Sequence, residues 1–149
     1  MSFEESIYAM PSSRASLTLT LLQAREAAMS FFRPLLNLHG LTEQQWRVIR
    51  ILCQEGEMEI NRLADFSCVL KPSMSGILTR LERDGFTRRR KSPEDQRRVL
   101  ISLTDNGEQL FLSMRDEMES NYLTIQERFG EEKLSQLLDL LNELKRIRQ

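Results

Sequence analysis

The spacing of apolar residues changes at Gly85, and that change constrains the fold more than any other feature of the chain. Before it, Met74, Ile77, Leu78 and Leu81 recur at helical spacing. After it, Val99, Ile101 and Leu103 alternate as in a half-buried strand. Pro72 suits the first turn of the helix, where its missing N–H would have no partner anyway. Gly85 sits where a helix commonly stops on a left-handed residue. Phe86 to Lys91 provide a partner strand, and Ser92-Pro93 a hairpin turn. Residues 71–103 therefore read as helix, strand, loop, strand.

The polar side of this helix is unusual in composition. At 100° per residue, Pro72, Gly76, Thr79 and Arg83 lie opposite the apolar stripe, with Ser73, Ser75 and Arg80 beside them. Short hydroxyls and a residue without a side chain let the helix approach a groove closely. Its arginines are long enough to reach guanine edges. A merely solvated face is the alternative, and the charge distribution argues against it. The chain carries a net charge of −1, yet residues 71–103 carry +5, against −2 for residues 1–70 and −4 for residues 104–149. Positive charge gathered on one helix and hairpin is the footprint expected of phosphate binding.

The residues upstream agree. Thr42 and Gln45 form a capping box, with Leu41 placed to staple against Trp46. The helix they start runs to about Gln54 with Val48, Ile49 and Leu52 inward, and Gly56 ends it. Glu59 to Phe66 form a short helix with Ile60, Leu63 and Ala64 inward, and residues 67–70 a turn. Two short helices joined this way, the second with a basic face, make a helix-turn-helix, and the hairpin makes it a winged helix. Arg97 at the loop tip suits a narrow minor groove, and Asp95 can orient an arginine through a charge-assisted contact. Arg88, Arg89, Arg90 and Lys91 alternate faces in a strand, so only some can reach phosphate; Arg88 and Arg90 are the candidates.

Long helices flank this unit. From Arg14 to about Leu38, the residues Leu17, Leu21, Ala24, Ala28, Phe31, Leu35 and Leu38 form a heptad-like stripe, with Pro34 kinking or interrupting its last turn. Thr104 caps a helix through Phe111, Met114, Met118 and Phe129 to Gly130. A last helix, from Glu131 to about Arg148, carries Leu134, Leu137, Leu138, Leu141 and Leu144. These faces exceed what a small winged helix needs for its core and predict a second copy of the chain as partner. A two-fold dimer presents two recognition helices to two half-sites of a pseudo-palindromic DNA duplex.

Other classes find little support. One histidine, no metal-ligand spacing, no phosphate-binding glycine loop and no nucleophile motif leave no site for an enzyme, a metal or a cofactor. No apolar run is long enough to span a bilayer, and the acidic N-terminus is not a secretory signal, so the expected location is cytoplasmic, without membrane contact. Cys53 and Cys68 offer an alternative function, thiol-based redox sensing. Cys53 shares a helix face with apolar residues, which predicts a buried, inert thiol.

The run Arg80-Leu81-Glu82-Arg83-Asp84-Gly85-Phe86, then Pro93-Glu94-Asp95-Gln96-Arg97-Arg98 and Leu103-Thr104-Asp105-Asn106-Gly107, resembles the MarR family of bacterial regulators. The family's wing signature is an acidic residue, a spacer and an arginine, followed by a Leu-Thr-x-x-Gly helix start; Asp95, Arg97, Leu103, Thr104 and Gly107 match it. The resemblance covers nearly the whole chain. It implies one domain over residues 1–149, mainly α with a small β-hairpin wing, in which dimerisation helices (14–40 and 104–149) flank a DNA-binding part (41–103). The function it implies is a homodimeric repressor of an aromatic-acid, hydroxyphenylacetate-type catabolic operon, released from DNA by an aromatic carboxylic acid. Such an effector needs an apolar slot and a cation. Phe32 and Trp46 are candidates for the slot, His39 for a further contact, and Arg14 for a bidentate grip on the carboxylate.

Overall fold

The structure is a computed structural model and describes residues 16–148. Helices α1 (Leu17–Met29), α2 (Arg33–Leu38) and α3 (Glu43–Glu55) lead to a two-residue strand β1 (Met58–Glu59). Helices α4 (Ile60–Ser67) and α5 (Lys71–Arg83), the hairpin strands β2 (Thr87–Lys91) and β3 (Val99–Leu103), and helices α6 (Asp105–Phe129) and α7 (Glu131–Lys145) complete the chain. The fold is a winged helix-turn-helix between flanking helices. No helix among the described residues is long and apolar enough to cross a membrane.

Local chemistry sets most boundaries. The Thr42–Gln45 capping box is formed: the Gln45 N–H donates to Thr42 Oγ1 at 3.1 Å, and the Thr42 N–H to Gln45 Oε1 at 3.0 Å. Gly56 and Gly85 end α3 and the turn after α5 with φ of 79° and 81°. Cys68 takes the left-handed position between α4 and α5 with φ 52°, an uncommon geometry for a residue with a side chain. The expected stripe of α5 is entirely buried: Met74, Ile77, Leu78 and Leu81 join Val48, Ile49, Leu52, Leu63, Ile101 and Met114 in the core.

Four expectations change. The first long helix is two helices, broken at residues 30–32, and Pro34 sits in the first turn of α2 rather than in the last turn of a continuous helix. A proline ring collides with the carbonyl four residues back and lacks an N–H, so the first helix stops before it and the next restarts at Arg33 with the proline in its first turn. Met58 and Glu59 form a third, edge strand, giving a sheet of order β1-β3-β2, with both pairs antiparallel. Cys53 is exposed, not buried, because its side of α3 lies outside the packed face. The last helix ends at Lys145, three residues before Arg148.

Candidate functional site

The face of α5 opposite the core is open. Pro72, Ser73, Ser75, Gly76, Thr79, Arg80 and Arg83 are all exposed. A Cβ built on Gly76 would meet nothing within 4 Å, so no packing in this chain requires glycine there. Glycine in mid-helix is costly by about 1 kcal/mol relative to alanine; its use there suits close approach to something outside the chain. The Thr79 hydroxyl donates to the Ser75 carbonyl at 2.8 Å, and Arg83 contacts Asp84 at 3.4 Å, leaving the rest of both side chains outward.

At the wing tip Asp95 Oδ1 accepts from the Arg97 backbone N–H at 3.0 Å and from Arg97 Nε at 3.2 Å. The aspartate thereby sets the turn and aims the guanidinium, whose side chain remains 93% exposed. The base of the wing is locked by Thr104. Its N–H donates to the Phe86 carbonyl at 3.0 Å, and its hydroxyl donates to the Gly85 carbonyl at 2.5 Å while accepting from the Gly107 N–H at 3.1 Å. Gly107 is buried, and a Cβ there would run into the Phe86 carbonyl. One threonine and one glycine thus hold the end of α5, the wing and α6 in register. That is the physical content of the Leu-Thr-x-x-Gly pattern.

A cavity of about 540 Å³ lies between the winged unit and the flanking helices. Trp46 of α3 and Phe111 of α6 stack in its wall, with ring centres 5.5 Å apart and planes inclined by 12°. Phe32, Met29 and Met118 extend the apolar lining, while Arg47, Arg50, Arg115 and Tyr122 bring polar groups. Arg47 Nε is buried and has no hydrogen-bond partner among the described residues. Beside it, Glu43 accepts from Arg25 Nη2 at 2.8 Å and Arg33 Nε at 2.6 Å, and these bonds hold its carboxyl below the usual carboxylate range.

Phe32 and Trp46 therefore line one cavity, as their sequence positions suggested. His39 does not. It is the exposed C-cap of α2, and Gly40 with φ 66° turns the chain away immediately after it. Arg14 lies outside the described residues. Sequence reasoning missed Arg47, Arg50, Arg115 and Tyr122. A signal existed: Arg47 and Arg50 sit one and four residues after Trp46 on the same helix.

A model of the MarR family matches residues 41–99, which span α3 to the start of β3. Over 128 residues the chain is 51% identical to the homoprotocatechuate degradative operon repressor of Escherichia coli, covering 86% of each protein. The chain belongs to the MarR family. It is accordingly a DNA-binding transcriptional regulator. Two solved MarR-type structures superpose on it. Transcriptional regulator PA4135 is 70% identical with a TM-score of 0.89, covering 91% of this chain and all of that one. NadR in complex with 4-hydroxyphenylacetate is 46% identical with a TM-score of 0.83, covering 93% and 99%. Redox sensing gains no support in this MarR protein: although Cys53 is exposed, partial desolvation of its thiol, then Glu108, pushes the thiol up, away from the reactive thiolate.

Proposed function

We propose that this chain is a homodimeric, cytoplasmic repressor of an aromatic-acid catabolic operon, and that an aromatic carboxylic acid bound in the cavity releases it from a pseudo-palindromic operator. The observation that carries the effector reading is the cavity: a stacked Trp46–Phe111 wall beside the unpartnered Arg47 Nε. An aromatic ring fits the wall, and the Arg47 guanidinium, which lines the same cavity, supplies the cation for a carboxylate. The relatives that repress homoprotocatechuate degradation and that bind 4-hydroxyphenylacetate support the same ligand class. The dimer reading rests on α1, which buries none of its side chains, and on the exposed Leu137, Leu138 and Leu140 of α7.

The cavity joins α3 of the DNA-reading unit to α6 and α7. Occupancy can thus favour one spacing of the two recognition helices over another, which releases DNA if that spacing no longer matches successive major grooves. Trp46 is the only tryptophan in the chain and lines the cavity, so its fluorescence reports binding directly. Titration with 4-hydroxyphenylacetate should change Trp46 fluorescence over the same concentrations that free the operator. Arg47→Ala should weaken both responses by about tenfold or more, the scale of a lost charged hydrogen bond, while DNA binding persists. Arg14→Ala tests the alternative anchor: if it alone abolishes release, Arg47 does not hold the carboxylate. A protein that stays on its operator at saturating acid would refute the effector reading.

A further inference from the structure

The arginines of the wing divide into two groups. Arg90 reaches back across the sheet: its Nε and Nη2 donate to Glu57 Oε2 and Oε1 at 2.9 and 2.6 Å. Arg98 Nε and Nη2 both donate to Glu59 Oε2, at 3.1 and 2.8 Å. Glu59 lies in β1 and Glu57 just precedes it, on the far side of β3 from β2. The Arg90 strap therefore spans two strand spacings, roughly 9–10 Å. On the opposite face Arg89 Nε donates to Glu82 of α5 at 2.5 Å. Arg97, by contrast, is paired only within its own turn, with Asp95.

The carboxylates of this arrangement work against simple DNA attraction. Glu57 and Glu59 neutralise two cations in the most basic part of the chain and repel phosphate themselves. Both pairs are largely exposed, with the arginine side chains 54% accessible, so they contribute little to folding stability. What they can do is geometric. A hairpin tip swings through several ångströms for a small change of angle at its base, and straps from β2 and from the residue before β3 to the β1 edge fix that angle.

We propose that Glu57 and Glu59 are positioning residues for DNA recognition: they hold the wing at a set angle to α5, and so set where Arg97 lands relative to Thr79 and Arg83. Arg90 is then a strap rather than a phosphate contact. This inference rests on the DNA-reading face assigned above to α5 and the wing.

The test opposes two signs. Removing an acid near DNA should tighten binding to any duplex; loosening the wing should weaken binding to the right one. The full-length protein, Glu57→Gln and Glu57→Gln/Glu59→Gln would be compared on a duplex enriched by the wild-type protein from a random pool, and on its scrambled version. The ratio of the two affinities should fall about two- to fivefold in the single variant, the scale of one exposed ion pair, and about tenfold in the double. Exchanging the charges, Glu57→Arg with Arg90→Glu, should restore it. If both duplexes tighten alike, or the ratio stays at the wild-type value, the positioning role is overturned while the DNA-reading assignment stands. A wild-type protein that enriches no sequence would overturn that assignment, and the inference with it.

Discussion

Helices α1 and α5 are both thirteen residues long and both rich in apolar side chains, yet they fold for different reasons. In α5 the apolar residues lie on one stripe, and all four are buried by the chain's own core. In α1 they are spread around the helix: Leu17, Leu19, Leu21 and Leu22 are each at least 36% exposed, and no residue is buried. α1 meets the winged unit through the bond from Arg25 to Glu43 and through Met29 at its end, which packs against the core. Sequence hydrophobicity alone does not say whether a helix completes its own domain. The arrangement of that hydrophobicity does, because a single stripe can be buried by one neighbour, whereas apolar residues on several sides need further surfaces. On the dimeric reading proposed above, the partner copy supplies those surfaces.

The sharpest way to break the comparison is to charge one helix and hollow the other. Leu21→Asp should weaken dimer association by about 3–5 kcal/mol, the cost of an uncompensated buried charge, and leave the winged unit folded. Leu78→Ala should cost about 2–5 kcal/mol of unfolding free energy through the cavity it leaves, with the dimer intact under native conditions. Sedimentation and urea unfolding would separate the two. If Leu21→Asp remained dimeric at micromolar concentration, α1 would not be the interface.

A smaller effect is expected on the outer side of α5 and the wing. Arg97→Ala should weaken operator binding by about 1–3 kcal/mol without shifting the thermal midpoint, since the side chain is 93% exposed. Arg83→Ala should alter sequence preference. Operator affinity unchanged by Arg97→Ala at moderate salt would remove the minor-groove role.

The smallest effect concerns the link from α1 to α3. Hydrogen bonds from Arg25, then from Arg33, hold the Glu43 carboxyl below its ordinary value. A lowered folded-state pKa means that the stabilisation is fully present above the unfolded-state carboxylate value. It is lost as pH falls through the lower folded value. Acid unfolding should therefore be less steep in Glu43→Gln than in the wild type over that window. Identical pH profiles would show that the clamp is energetically silent.

Elements governed by neighbours a few positions away were legible in the sequence. The Thr42–Gln45 box, the stop at Gly85 and the Thr104 cap depend on hydrogen bonds between residues three apart at the starts of α3 and α6, or on one backbone angle. The break before Pro34 was half legible: the proline announced an interruption, but its placement depends on where the ring collides. β1 was not legible, because two residues are too few to show a period. The cavity wall was legible at Phe32 and Trp46. Arg47 and Arg50 lay near Trp46 on the same helix, whereas Phe111, Arg115 and Tyr122 joined them only where α3 and α6 meet.

By itself the sequence determined the winged helix-turn-helix, the basic outer face of its second helix and the wing signature, since each is written in local spacing and local charge. The tertiary structure decided which arginines are free and which are tied. Arg90 finds Glu57 across 33 positions and Arg98 finds Glu59 across 39, and only the register of β1 on β3 and β3 on β2 brings them together. A charge's range in sequence is irrelevant to its energy; its distance in space sets the interaction, and folding sets that distance.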